Sequence, residues 1–326
     1  MPLDESAFER TPEYWGKLEA SVRGDLAMRE AELKRALNIA PERDLLKLFI
    51  ATDGKKTFPS VALTSGGLIA VYFPIDYFVY TENAAKFMNL DFSYRRALAL
   101  GNTFPEDDLS THFHLMWSQW ILRHEVGHAV CGHLGFAVNQ EFVEYPAIQE
   151  GATQVGGLPL PLRRAMEIDA DAFAAQTTFR AYGRMTIKKY WDDLYHRKDA
   201  VTLAMQDLAL MMWPLFLELD HAGPDVPTTH PTPFERLIVM QVLGFEAYIE
   251  EVGPEGREHL SSYMAGLKEA IALTAHLEGS MIYKQRPPVD LVNYWHELAA
   301  VGMIKRRWAP IHGDWLSKTP SPQARI

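Results

Sequence analysis

Two histidines four positions apart, with a glutamate directly after the first, constrain this chain more than any other feature: His124-Glu125-Val126-Gly127-His128. On an α-helix positions four apart share a face, so the two imidazoles reach one point only if the segment is helical. Trp120, Ile121 and Val130 supply an apolar face for that helix to bury. The spacing predicts a long helix capped at Ser110 or Thr111, running through Trp117 and Trp120 to about Leu134. Zinc accepts imidazole nitrogen in tetrahedral sites, and a catalytic site leaves one position to water. His124 and His128 are therefore candidate ligands, and Glu125, projecting beside them, is the candidate base for an attacking water.

Two ligands do not complete a site. A histidine six residues after His128 would complete one known arrangement, but His133 comes five after it. A later carboxylate is the remaining source. Pro161 opens a second helix, expected to end near Gly183, on which Glu167 and Asp171 lie four apart on one face. Ala170 and Ala174 are small enough to let two helices approach closely. Glu167 is the candidate third ligand, and Asp171 can accept the outward N–H of a ligand histidine and set its tautomer. A third element is Thr229-His230-Pro231-Thr232-Pro233-Phe234-Glu235-Arg236. His230, held in a proline-bounded loop at a helix start, can donate a hydrogen bond to a developing oxyanion.

Around these motifs the expected fold class is α+β and predominantly helical. With 48% apolar residues, eight Trp and thirteen Tyr, a sizeable core is available. An amphipathic helical stretch is expected over residues 11–38. A β-hairpin is expected within 58–81, turning at Ser65-Gly66-Gly67, with Phe78-Val79-Tyr80 as a third strand. An apolar helix is expected over 199–219, and a capping box at Thr232-Pro233-Phe234-Glu235 starts another that reaches Val252. Gly253-Pro254 breaks the chain, and helical segments over 255–278 and 289–307 precede a disordered tail from 319. The reading is one unit with three parts. Residues 1–105 form N-terminal helices and a small sheet, 106–252 the metal-binding core, and 253–326 a C-terminal helical segment.

Charge and cysteine usage narrow the function classes. The net charge is −10 and the longest basic run is Lys305-Arg306-Arg307, so a nucleic-acid partner is not expected. No window approaches twenty uncharged apolar residues, and the most apolar run, Leu208 to Leu217, is too short to span a bilayer. No membrane partner is expected. The single cysteine, Cys131, excludes an intrachain disulfide and a site of several thiolates, and fits a reducing compartment. Asp4, Glu5 and Glu9 make the start acidic, without an apolar targeting segment, so the expected location is cytoplasmic.

The three motifs in this order resemble the gluzincin endopeptidases of the HtpX and CAAX-prenyl-protease type. The compact build, with Gly132-His133 closing the zinc helix, is also similar to the phage-exclusion Lit-type peptidases. The resemblance spans about residues 122–237. It implies a zincin-like catalytic core with one zinc per chain on His124, His128 and Glu167, and Glu125 as general base and acid. It further implies Asp171 behind the ligands, and His230 and Arg236 facing the transition state or holding the site together. A protein or peptide substrate follows from it. The absence of the membrane-bound relatives' transmembrane helices points to an intracellular target, with any activating partner unidentified. The hairpin would be the edge strand that aligns substrate. Two other classes compete. A di-iron carboxylate bundle would use Glu125-x-x-His128 and Glu218-x-x-His221. A latent peptidase fold would act by binding a partner.

Overall fold

The helix carrying both histidines is mixed in composition, yet most of its circumference is enclosed by the rest of the fold. Here α2 (Glu106–Val130) buries Leu109, Phe113, Met116, Trp117, Trp120, Ile121, Leu122 and Val126, positions that run around most of its circumference. Fully burying a residue such as Phe113 contributes about 1.5–3 kcal/mol, so this helix anchors the core. The computed structural model describes residues 9–10, 20, 46–51, 60–63, 69–74, 92–102, 106–130, 160–219, 231 and 233–277. Short strands come first: β1 (Glu9–Arg10), β2 (Leu46–Ala51), β3 (Ser60–Leu63) and β4 (Ile69–Pro74). Helices follow: α1 (Phe92–Ala97), α2, α3 (Leu160–Ile187), α4 (Tyr190–Tyr195), α5 (Ala200–Glu218), α6 (Pro233–Val239), α7 (Phe245–Val252) and α8 (His259–Leu277).

The α+β expectation built on an N-terminal hairpin is corrected. The described fold is predominantly helical, with Val71 of β4 buried in the apolar core. The strands do not form a free-standing hairpin either. They stand in the order β1-β2-β4-β3, with β2 parallel to β4 and inserted between β4 and β1. The apolar run Leu46-Lys47-Leu48-Phe49-Ile50-Ala51 carries no turn signal, and periodicity cannot tell such a short run from helix. Its parallel partner is set by a crossover that leaves no local mark. The Ser65-Gly66-Gly67 turn, Phe78-Val79-Tyr80 and most of the expected 11–38 helix lie outside the described residues, as do 289–307 and the tail.

Strands β3 and β4 pack on α2, which also packs against α3 and α5. Helix α2 begins at Glu106, so Ser110 lies inside it, buried, and is not its cap. Helix α3 does not end at Gly183. A Cβ there would come within 2.9 Å of Glu251 on α7, so this glycine serves a close helix contact and lets α3 run on to Ile187. The helix expected up to Val252 is three pieces in one rod, with a π-helical turn, Met240–Gly244, joining α6 to α7. That wider turn sets Gly244 against the Phe179 ring, and Gly253, at φ 100°, stops the rod.

Pro214 explains how α5 is tied in. Having no N–H, it deprives the carbonyl of Leu210 of its helical donor. The Tyr94 hydroxyl of α1 donates to that carbonyl instead, and the Trp117 indole N–H of α2 donates to the next one, Met211, at 2.8 Å. A defect in one helix thus becomes the attachment point of two others. The stretch Ala200–Leu217 is long and apolar enough to cross a membrane by length and composition, longer than the run read from the sequence, and 72% of it is buried inside the fold.

Candidate metal centre

The centre sits where α2 and α3 touch, and a glycine decides how closely they do. A Cβ on Gly127 would lie 3.0 Å from both the Cα and the carbonyl oxygen of Ala170, and 3.3 Å from Phe173. Glycine inside a helix costs roughly 0.5–1 kcal/mol relative to alanine, so its place between the two histidines is a packing requirement. Contacts of Gly127 with Ala170 and of Met116 with Tyr182 show the helices running antiparallel. The last turns of α2 therefore meet the first turns of α3, and His124 and His128 face Glu167 and Asp171.

All four side chains are buried: the histidines are 7% exposed each and the two acids 0%. His124 Nε2 lies 3.2 Å from His128 Nε2 and 3.2 Å from Glu167 Oε2, and His128 Nε2 lies 3.5 Å from Glu167 Oε1. The other ring nitrogen of His124, Nδ1, sits 2.8 Å from Asp171 Oδ1. Arg236, 3% exposed on the first turns of α6, donates from Nη1 to the same oxygen at 2.9 Å. Its Nε donates to the carbonyl of Pro231 at 3.4 Å.

These residues could hold a metal ion, and the distances test the fit. Ligand atoms about 2.0–2.2 Å from a tetrahedral ion stand roughly 3.3–3.6 Å from one another. The observed separations of 3.2, 3.2 and 3.5 Å match that geometry. Arg236 pairs with the buried Asp171 carboxylate, and Glu167, also buried, faces both histidines. Burial lowers the pKa of His124, but Asp171 and Glu167 outweigh it and push it up to about 10. Asp171, by accepting from Nδ1, leaves Nε2 as the atom that faces the site.

Of the residues singled out in the sequence, His124, His128, Glu167, Asp171 and Arg236 come together here. Glu125 is half-buried on α2 between the two histidines. His230, Cys131, His133 and His221 lie outside the described residues, and Glu218 is the last residue of α5. Sequence reasoning missed two contributors. Gly127 could have been noticed as a glycine inside a helical pattern, which often marks a close approach. Nothing in the sequence points to the Pro231 carbonyl as a partner of Arg236. No protein-family model matches the chain, and comparisons with curated proteins and with solved structures give no significant match.

Proposed function

We propose that this chain is a zinc-dependent endopeptidase of the gluzincin type that hydrolyses peptide bonds of an intracellular protein. One observation carries the reading. Two imidazole Nε2 atoms from the helix that also presents Glu125 converge with a carboxylate of α3 at tetrahedral ligand spacing. His124, His128 and Glu167 would hold one zinc ion, which when bound supplies Lewis acidity toward a water and the scissile carbonyl. Glu125 takes the proton from the attacking water and passes it to the leaving amine. Asp171 holds His124 in the tautomer that keeps Nε2 available. His230 would donate to the oxyanion.

The test compares cells expressing wild type and Glu125→Gln for new protein termini, together with zinc content of the purified chains. Glu125→Gln is expected to keep one zinc per chain and lose about 10²–10⁴-fold in cleavage rate. Glu167→Ala is expected to lose zinc itself. A Glu125→Gln chain that generates termini as wild type does would sink the mechanism, and unchanged zinc in Glu167→Ala would remove that ligand.

A further inference from the structure

The side chain on α6 that reaches the centre touches no candidate ligand directly in the described contacts. Arg236 ends instead on Asp171 Oδ1, the oxygen that also accepts from His124 Nδ1. Its other described bond runs backward along its own chain, from Nε to the carbonyl of Pro231. One planar guanidinium therefore joins three separate pieces of chain: the approach to α6, the acid on α3, and through that acid the ligand on α2. Lysine could keep the charge at this position, but its single ammonium lacks the fixed fork that serves both partners.

We infer that Arg236 is a positioning residue that couples the docking of α6 to the metal affinity of His124. The inference rests on the metal centre proposed above and extends it to control of that centre. With Arg236 in place, the Asp171 carboxylate is held in one orientation, and the His124 ring is held with it. If α6 shifts away from α3, Asp171 loses its cationic partner and turns toward His124 alone, and the ring is no longer fixed with Nε2 toward His128 and Glu167. Metal retention then depends on a helix that supplies no ligand. Anything that moves the start of α6 would load or unload the site without touching it.

The experiment measures zinc affinity by competition with a chelator on the full-length chain, so it does not depend on any substrate. Four proteins are compared: wild type, Arg236→Lys, Asp171→Asn and the double variant. Arg236→Met is added, with far-UV circular dichroism to establish that each is folded. Arg236→Met is expected to weaken zinc binding by about 10–100-fold, the range for losing an outer partner of a ligand. Arg236→Lys is expected to recover part of that loss. The decisive reading is the cycle. If Arg236 acts through Asp171, Arg236→Lys causes little further loss once Asp171 is already asparagine. Losses that simply multiply in the double variant, or an Arg236→Lys chain binding zinc as wild type does, overturn the inference. A wild-type chain that binds no zinc overturns the metal centre instead. Should Arg236→Met fail to fold, the lysine cycle decides alone.

Discussion

Two buried aspartates, one on α3 and one on α5, meet opposite solutions to the same difficulty. Asp171 is 0% exposed and lies between two cationic or potentially cationic groups, Arg236 and His124. Asp207, on α5, is 1% exposed and is served by neutral donors alone among its described partners. These are the backbone N–H groups of Ala99 and Leu100 at 2.8 and 3.0 Å, and the Tyr195 hydroxyl at 2.8 Å. The first arrangement gathers charged groups beside a cluster that could hold a metal ion. The second ties the turn after α1 and the short helix α4 to α5, and has no use for a charge. Burial pushes the Asp207 carboxyl up to about 6, against the pull of its three hydrogen bonds. Burial of an acid is thus no sign of a site. The charge of its partners is what separates the two.

The sharpest way to break the comparison is to remove the acid from the charged cluster. Asp171→Ala leaves Arg236 buried without its counter-ion, and a loss of about 3–5 kcal/mol is expected in denaturant unfolding. A loss under about 1 kcal/mol would mean the pair is not the buried charge cluster described. The next effect is one of pH. The folded-state pKa of Asp207, about 6, lies above its unfolded value of 3.8, so the folded protein holds this proton more tightly. Its contribution to stability is complete below pH 3.8 and is lost as pH rises through 6, by roughly 3 kcal/mol at about 1.4 kcal/mol per unit. Unfolding of wild type and Asp207→Asn should therefore diverge between these pH values and run parallel outside them. A constant difference across that window would show Asp207 ionised throughout and erase the contrast.

The smallest expected effect sharpens the comparison by geometry. Gly127→Ala places a methyl 3.0 Å from the backbone of Ala170, so α2 and α3 must separate by a few tenths of an ångström. A cost of about 1–3 kcal/mol is expected, with weaker zinc binding because His124 and His128 sit on either side of that contact. Gly266→Ala, whose Cβ would come 2.4 Å from the Gln206 carbonyl at the α5–α8 contact, is the control. It should destabilise the fold at least as much. If Gly266→Ala weakened zinc binding as strongly as Gly127→Ala, the special role of the α2–α3 contact would be lost.

Much of the centre was legible because helices are periodic. His124 with His128, and Glu167 with Asp171, are pairs four apart, and that spacing alone puts each pair on one face. The stop at Gly253 was legible for a similar local reason, since a glycine at φ 100° ends a helix wherever it stands. The sheet was not. The β2–β4 pairing joins Leu46 to Ile69 through a parallel crossover, and no residue at either end announces the other. Nor was the role of Pro214, whose missing N–H matters only because Tyr94 stands over the vacant carbonyl.

The His124-Glu125-Val126-Gly127-His128 sequence by itself determined that two imidazoles and a glutamate share a helix, since side-chain direction along a helix follows from chain geometry alone. Tertiary structure decided what surrounds them. Gly127 against Ala170 set the approach of the helices, Glu167 came within 3.2–3.5 Å of both histidines, and Arg236 reached Asp171 from 65 residues away. Those outcomes depend on which surfaces pack together, a balance of burial and charge summed over the whole chain, and no local pattern encodes it.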